Sequence, residues 1–327
     1  MESLIKNFPN QLREAWQIGN AATLQPAKSP FRNVLITGLG GSGIGGTIIA
    51  EITQSQVSVP VTVNKDYFVP KFVGPDTLVI ASSYSGNTEE TLQAVQQASD
   101  QGAHIVCITS GGTLQAFAKE KGYDAIVIPG GNPPRSCLGY SLTQLFIIFA
   151  KHKLIPESFL TDLQSVPDFL DQHLPAIQAE AKDLTEFLYG KIPVIYAAAG
   201  SEGVAVRFRQ QVNENAKMLC WHHVLPEMNH NELVGWAGGN EQMAVVVFRN
   251  KTDYKRTQRR MEVGKEIITR MTPHYREVFS VGETPLTRAF HLIHLGDWVS
   301  LYLGQKKGVD VTEVKVIDHL KSALAAL

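Results

Sequence analysis

Five short runs of β-branched and apolar residues, each followed by enough chain for a helix, constrain the first half more than any other feature. They are NVLITG (33–38), VPVTVN (59–64), TLVIASS (77–83), HIVCITS (104–110) and DAIVIP (124–129). The stretch NTEETLQAVQQASDQG between the third and fourth runs is a crossover of helical length. Continuous apolar runs belong to strands covered on both faces, and helical crossovers join parallel strands. The first half therefore predicts a doubly wound parallel-sheet domain.

Residues 151–190 are helical and amphipathic in pattern, punctuated by Pro156, Pro167 and Pro175, and read as the connection between domains. The pattern then restarts. PVIYAAAGSEG (193–203) echoes VLITGLGGSG, with an apolar strand, small residues, a Gly-Ser turn and a helix. QMAVVVFRN (242–250) and HYREVFSVG (274–282) supply further strands, and VTEVKVIDHLKSALAAL closes the chain as a terminal helix. The expected class is α/β, with two doubly wound parallel-sheet domains. Residues 1–153 form the first, and 154–327 form the second together with the linker helices and the terminal helix.

A chain of 327 residues suffices for two domains of ordinary size, and 44% apolar residues fill their cores. The formal net charge of −1 gives no electrostatic case for nucleic acid or an anionic membrane. No apolar run reaches the length of a membrane helix, and MESLIKNFPNQLREAW lacks a signal pattern. Cys107, Cys137 and Cys220 are scattered, without metal spacing or an even disulfide set, which fits a reducing cytosol and a cytoplasmic protein. No metal and no cofactor are expected.

GLGGSGIGG (38–46), with six glycines and a serine, follows the first strand and suggests a phosphate site. GLGGSG satisfies the dinucleotide spacing, but the second strand ends VTVNKD, with Asn64 and Lys65 where that fold wants an acid. No Gly-Lys-Ser/Thr is present for a nucleoside triphosphate loop. The third strand runs into SSYSGNTEET (82–91), which gathers the hydroxyls of Ser83, Ser85 and Thr88 just before a helix. Asn87 is placed to cap that helix, with Glu90 completing a capping box. Free N–H groups and hydroxyls at such a terminus suit a phosphate, although a Ser/Thr turn can equally serve only as a cap. Two such loops at one carboxyl sheet edge favour a ligand. Together they resemble a sugar-isomerase (SIS) domain, a five-stranded, flavodoxin-like phosphosugar-binding fold. The resemblance implies that Ser42, Ser83, Ser85 and Thr88 hold the phosphate, with Gly41 in the same loop.

Three further segments bear chemistry. In NPPRSCLGY (132–140) two prolines stiffen the chain before Arg135, at the same sheet edge. In VAVRFRQQVNENAKMLC (204–220) Ala205, Phe208, Val212, Ala216 and Leu219 form an apolar stripe opposite Arg207, Gln211 and Glu214. That polar face is either solvated, with a Glu214–Lys217 pair, or part of a site at the second domain's ligand edge. HHVLPEMNHNELVGW (222–236) is broken by Pro226 and holds a polar island of Asn229, His230 and Asn231, which needs partners or a task. Trp221, Leu225, Met228 and Trp236 flank it as an interface core would, or line the cleft between the chain's own domains.

PRS, NENAK and PEMNHNE, in this order behind the two loops, resemble the bifunctional phosphoglucose/phosphomannose isomerase family. The tail DVTEVKVIDHLKSAL is similar to that family's ending, departing at Val311 where the family often has proline. The resemblance implies a metal-free aldose–ketose isomerase acting on phosphorylated hexose through a cis-enediol. In it Glu214 is the base, Arg135 stabilises the enediolate, His230 opens the ring, and Lys321 lies near the sugar oxygens. Thr312 would leave space for the mannose reaction. It also implies a homodimer in which His230 comes from the partner subunit. The rival class is a non-enzymatic phosphosugar-binding regulator, which would need an attached DNA-binding segment. An amino-sugar-phosphate isomerase normally carries a glutaminase domain as well.

Overall fold

The computed structural model describes residues 1–324. Two short helices, α1 (Glu2–Lys6) and α2 (Phe8–Ala21), precede the first sheet unit. That unit runs β1 (Asn33–Thr37), α3 (Gly40–Ile52), β2 (Val61–Asn64), β3 (Thr77–Ser83), α4 (Glu89–Asp100), β4 (His104–Thr109), α5 (Gly112–Lys121) and β5 (Asp124–Val127). Its strands lie in the order β2-β1-β3-β4-β5, and every neighbouring pair is parallel. All seven residues of β3 are buried, as its unbroken apolar run requires.

Helices α6 (Leu138–Lys151) and α7 (Ser158–Leu188) lead to the second sheet. There follow β6 (Ile192–Ala198), α8 (Glu202–Ala216), β7 (Trp221–Leu225), α9 (Glu232–Gly235), β8 (Met243–Arg249), α10 (Lys255–Ile268), β9 (Tyr275–Phe279), α11 (Pro285–Lys307) and α12 (Lys315–Leu324). The strand order is β7-β6-β8-β9, again parallel throughout. The two doubly wound parallel sheets are those expected.

Several local expectations change. Helix α7 is continuous over 31 residues although Pro167 and Pro175 lie inside it. Each proline removes one helical hydrogen bond, and the buried side chains of Val166, Leu170, Ile177 and Ala181 hold the turns on either side. The helix read over 204–220 stops at Ala216, because Lys217 takes the left-handed conformation at φ 52°. Leu219 therefore leaves the apolar stripe and is 87% exposed. The residues after it form β7, a strand not anticipated from the sequence. Leu225, Met228 and Trp236 are buried in the chain's own core with Val194, Tyr196 and Val245, and are not an interface surface.

The core explains the layering. One face of the first sheet packs on α4 and α5 through Val79, Ala81, Val95 and Leu114. One face of the second packs on the α9–α10 side through Val194, Met261 and Ile268. The largest apolar cluster lies between the sheets and draws on both halves, from Phe8, Ile48 and Phe146 to Phe208, Phe290 and Trp298. Helices α2, α3, α6, α7, α8 and α11 thus form a middle layer common to the two sheets.

Candidate active site

The carboxyl edge of the first sheet carries both loops. After β1 the chain turns at Leu39 into α3, whose first residues are Gly40, Gly41 and Ser42. Ser42 Oγ accepts a hydrogen bond from the Tyr84 backbone N–H at 3.1 Å, so the glycine loop is tied to the serine loop that follows β3. Ser83 Oγ donates to Thr88 Oγ1 at 2.9 Å and accepts from Gly86 N at 3.2 Å. Ser85 Oγ accepts from Asn87 N at 3.2 Å. Ser42 and Ser83 are buried, Thr88 is half-buried and Ser85 is exposed. The four hydroxyls lie in two adjoining turns, as expected.

The capping box does not form. Thr88, not Asn87, stands at the N-cap of α4, and no side chain caps that helix. Asn87 Oδ1 instead accepts from Thr113 N and Thr113 Oγ1, both at 3.0 Å, at the start of α5. The first N–H groups of α4 are left without a side-chain acceptor beside Ser83 and Thr88, an arrangement that favours an anion.

The NPPRS segment joins this edge through two contacts. Asn132 N donates to Tyr84 Oη at 3.1 Å. Burial, with a contact to Cys137, pushes the Tyr84 phenol up to about 12, so it stays protonated at neutral pH. Gly41 lies so close to the segment that a Cβ there would sit 3.1 Å from the Pro134 carbonyl oxygen and 3.5 Å from Arg135 Cα. A side chain at this position would have to push the NPPRS backbone back by a few tenths of an ångström.

Arg135 is 3% exposed and every nitrogen of its guanidinium is engaged. Nε donates to Asn215 Oδ1 at 2.7 Å, and Nη2 donates to the carbonyls of Val311 at 2.6 Å and Thr312 at 3.0 Å. Nη1 lies 3.5 Å from Glu214 Oε2. Burial lowers the Arg135 pKa from the usual arginine range and the Glu214 carboxylate opposes that shift, so the group keeps its charge. Glu214 itself is 29% exposed, at the open side of the cluster.

A second row of side chains supports Arg135. Arg207 Nη2 donates to the Arg135 carbonyl at 2.6 Å and to Asp297 Oδ1 at 3.0 Å. Gln211 Nε2 donates to Asp297 Oδ1 at 2.6 Å, and Asn215 Nδ2 donates to Ser300 Oγ at 2.9 Å. Arg207 and Gln211 are therefore buried beneath α11 and do not form a solvated face. Lys217 Nζ donates to the carbonyls of Glu214 at 2.6 Å and Glu313 at 2.7 Å, binding the end of α8 to the tail. The Glu214–Lys217 side-chain pair of the solvated-face alternative gives way to these carbonyl contacts.

Glu214 lies in the last turn of α8, so it is the far end of this helix that meets Arg135, and not the start at the second sheet's carboxyl edge. Thr312 is exposed and contributes its backbone carbonyl. His230 ends the turn Glu227–His230 after β7 and is exposed, and no described contact of its own chain brings it to Arg135 or Glu214. Its neighbours do have partners: Asn229 Oδ1 accepts from Arg260 at 3.4 Å, and Asn231 Nδ2 donates to Glu227 at 2.8 Å. Lys321 is exposed on α12, also away from the cluster's described contacts. Among the described residues no three His, Cys, Asp or Glu side chains gather as metal ligands, and no helix is long and apolar enough to cross a membrane. Tyr84, Asn215 and Asp297 are site-building residues that the sequence reading did not single out, whereas Arg207 was read as part of the polar face of 204–220. Asp297 alone carried a signal, as one acid within the apolar stretch AFHLIHLGDWVSL.

Comparison with known proteins shows the family and the fold. The SIS domain family matches residues 30–128, and the family described as the bacterial phospho-glucose isomerase C-terminal SIS domain matches residues 177–324. A solved hypothetical protein from Thermus thermophilus shares the fold with a TM-score of 0.76 at 16% identity, over 98% of this chain and 89% of that one. The bifunctional phosphoglucose/phosphomannose isomerase of Aquifex aeolicus is 34% identical over 90% of this chain and 91% of its own. That of Caldicellulosiruptor bescii is 40% identical over 99% of this chain and 98% of its own. The chain belongs to the bifunctional phosphoglucose/phosphomannose isomerase family.

Proposed function

We propose that this protein interconverts glucose 6-phosphate, and also mannose 6-phosphate, with fructose 6-phosphate through a cis-enediol. The observation that carries the reading is the convergence of Arg135 and Glu214, from different halves of the chain, beside the two hydroxyl-lined loops. The phosphate is held by Ser42, Ser83, Ser85, Thr88 and the Gly41 turn, far from the reacting carbons, and orients them. His230 moves the protons of ring opening. The Glu214 carboxylate then takes the proton from C2 of the aldose and returns it to C1, while the C1 and C2 oxygens exchange a proton. Arg135 stabilises the negative charge that develops on the oxygen of the enediolate, and Lys321 lies near the sugar oxygens. Epimers at C2 share one enediol once the C2–C3 bond turns, and the small side chain of Thr312 leaves room for that turn. These residues supply acid–base and electrostatic catalysis without a metal or a redox cofactor.

The working unit is a cytoplasmic homodimer, with His230 completing the partner's site. Support comes from the exposure of His230 and from large exposed apolar side chains nearby in sequence, Leu219 and Val234. A two-fold interface uses one patch twice and makes two equivalent sites.

A coupled assay with fructose 6-phosphate, with and without NAD and EDTA, tests the reaction. Turnover independent of both is expected; dependence on NAD or loss in EDTA overturns the metal-free isomerase. For the shared site, Glu214→Gln and His230→Ala chains are unfolded together and refolded as mixed dimers. About one intact site per heterodimer should return. Mixed dimers as inactive as either parent place His230 in its own chain's site.

A further inference from the structure

The turn AAAGSEG, which echoes the glycine loop of the first sheet, ends β6 at the carboxyl edge of the second sheet. A cavity of about 430 Å³ opens there, lined by Glu51, Ser201, Asn250, Asp253, Tyr254 and Arg288 among others. Order β7-β6-β8 makes β6 the strand where the winding reverses, the place at which such sheets receive a ligand. Helix α8 starts at this edge with no side-chain cap of its own, since Ser201 supplies none.

An acid from the other half of the chain stands in that place. Glu51 lies in the last turn of α3, the end at which a negative charge opposes the helix dipole. Its Oε2 accepts the Gly203 backbone N–H at 2.9 Å, in the first turn of α8. The close approach depends on glycine: a Cβ at Gly203 would lie 2.8 Å from Ile48 Cγ1 and 3.2 Å from Glu51 Oε2. The opposite end of each helix is built into the candidate active site. Helix α3 begins with Gly41 and Ser42, and α8 ends with Glu214 and Asn215 on Arg135. Glycine loop, α3, Glu51, α8 and Arg135 thus form a closed frame.

We infer that Glu51 is a positioning residue: its carboxyl oxygen occupies the anion position of the second sheet's edge and fixes α8, and through it Glu214, against the first half of the chain. Its catalytic consequence rests on the base role proposed above for Glu214. The second edge is in this sense a ligand site filled from within.

The test compares Glu51→Ala with Glu51→Gln, which keeps an acceptor oxygen at the same reach, in the full-length protein at pH 7.5. Amide hydrogen exchange is followed over residues 203–207, with kcat and KM for fructose 6-phosphate measured in parallel. In Glu51→Ala, exchange there should quicken about tenfold, the size of a lost helix cap. Its kcat should fall about tenfold with KM within twofold, because Glu214 is displaced while the phosphate loops are not. Glu51→Gln should restore both. Unchanged exchange in Glu51→Ala overturns the clamp, whatever the activity; faster exchange with wild-type kcat overturns the positioning role. Wild-type protein without isomerase activity would remove the Glu214 reading and leave the exchange result standing. If Glu51→Ala does not fold, Glu51→Asp, with its acid drawn back by one methylene, carries the same comparison.

Discussion

Arg135 binds Asn215 at 2.7 Å and its neighbour Glu214 at 3.5 Å. The guanidinium is therefore anchored on the amide, and the carboxylate beside it, the base in the function proposed above, makes the weaker contact at the open side of the cluster. A base that were itself the anchor would be held in place at the moment of proton transfer.

Glu214→Gln follows directly. The change removes basicity and preserves size, so kcat should fall by about 10³-fold with little change in KM. Solvent-proton exchange at C2 of the substrate, read by NMR, should vanish with it. Near-normal exchange would move the base to another residue.

Arg135→Lys should be almost as damaging as Arg135→Ala. One ammonium cannot meet Asn215, Val311, Thr312 and Glu214 together in the guanidinium's fixed geometry. A loss of about 100-fold in kcat is expected for both, with inhibition by inorganic phosphate unchanged. A lysine variant close to wild type would show that charge alone suffices.

Ser83→Ala combined with Thr88→Ala should act on the other parameter. The two hydroxyls bond to each other at 2.9 Å at the start of α4, and neither has a described hydrogen bond to Arg135 or Glu214. KM for fructose 6-phosphate and the inhibition constant of phosphate should both rise about tenfold. Phosphate that inhibits the double variant as well as it does the wild type removes these residues from the phosphate site.

Asp297→Ala should cost stability. It would leave Arg207 buried with the Arg135 carbonyl as its remaining described partner, and breaking one half of such a pair costs about 3–5 kcal/mol. Urea unfolding measures it. A cost below about 1 kcal/mol would mean that the pair is not what holds α8 against α11.

Stability should also depend on Glu51 through pH. Burial, and after it the neighbouring Glu202, push its carboxyl from 4.5 up to about 7, against the pull of the Gly203 and Glu202 N–H groups and of Lys65. Other charged or titratable groups at this place are His222, 3.5 Å from Glu202, and Asp253, Tyr254 and Arg288 of the cavity lining. Because the folded value is the higher one, the native state binds more protons than the unfolded chain between pH 4.5 and 7. The contribution is present below that window and lost as pH rises through about 7. Thermal melts of the wild type should therefore decline from about pH 5 to about pH 8 more steeply than those of Glu51→Gln. Parallel curves would contradict the shift.

The first sheet was legible because its central strands β1, β3 and β4 are unbroken apolar runs, buried on both faces. Strand β7 was not: WHHVL places two histidines in an edge strand with one neighbour, where four of five residues stay half-buried. Both hydroxyl loops and Arg135 could be read from turns and spacing. The end of α8 could not, since Lys217 is held in the left-handed region by carbonyls of Glu214 and of the distant Glu313. Arg207 and Gln211 have the spacing of a solvent face, and only the arrival of α11, far later in the chain, turns that face inward.

The middle layer of helices bears on how the molecule can be divided. Expressed alone, residues 1–153 would turn Ile48, Leu145 and Phe149 to water where α7, α8 and α11 now cover their layer, and residues 154–327 would do the same with Phe208 and Phe290. Neither piece is a transferable module, and each becomes soluble by virtue of the other. A designer who wished to graft the carboxyl edge of the first sheet onto another scaffold would have to bring the whole helical layer with it.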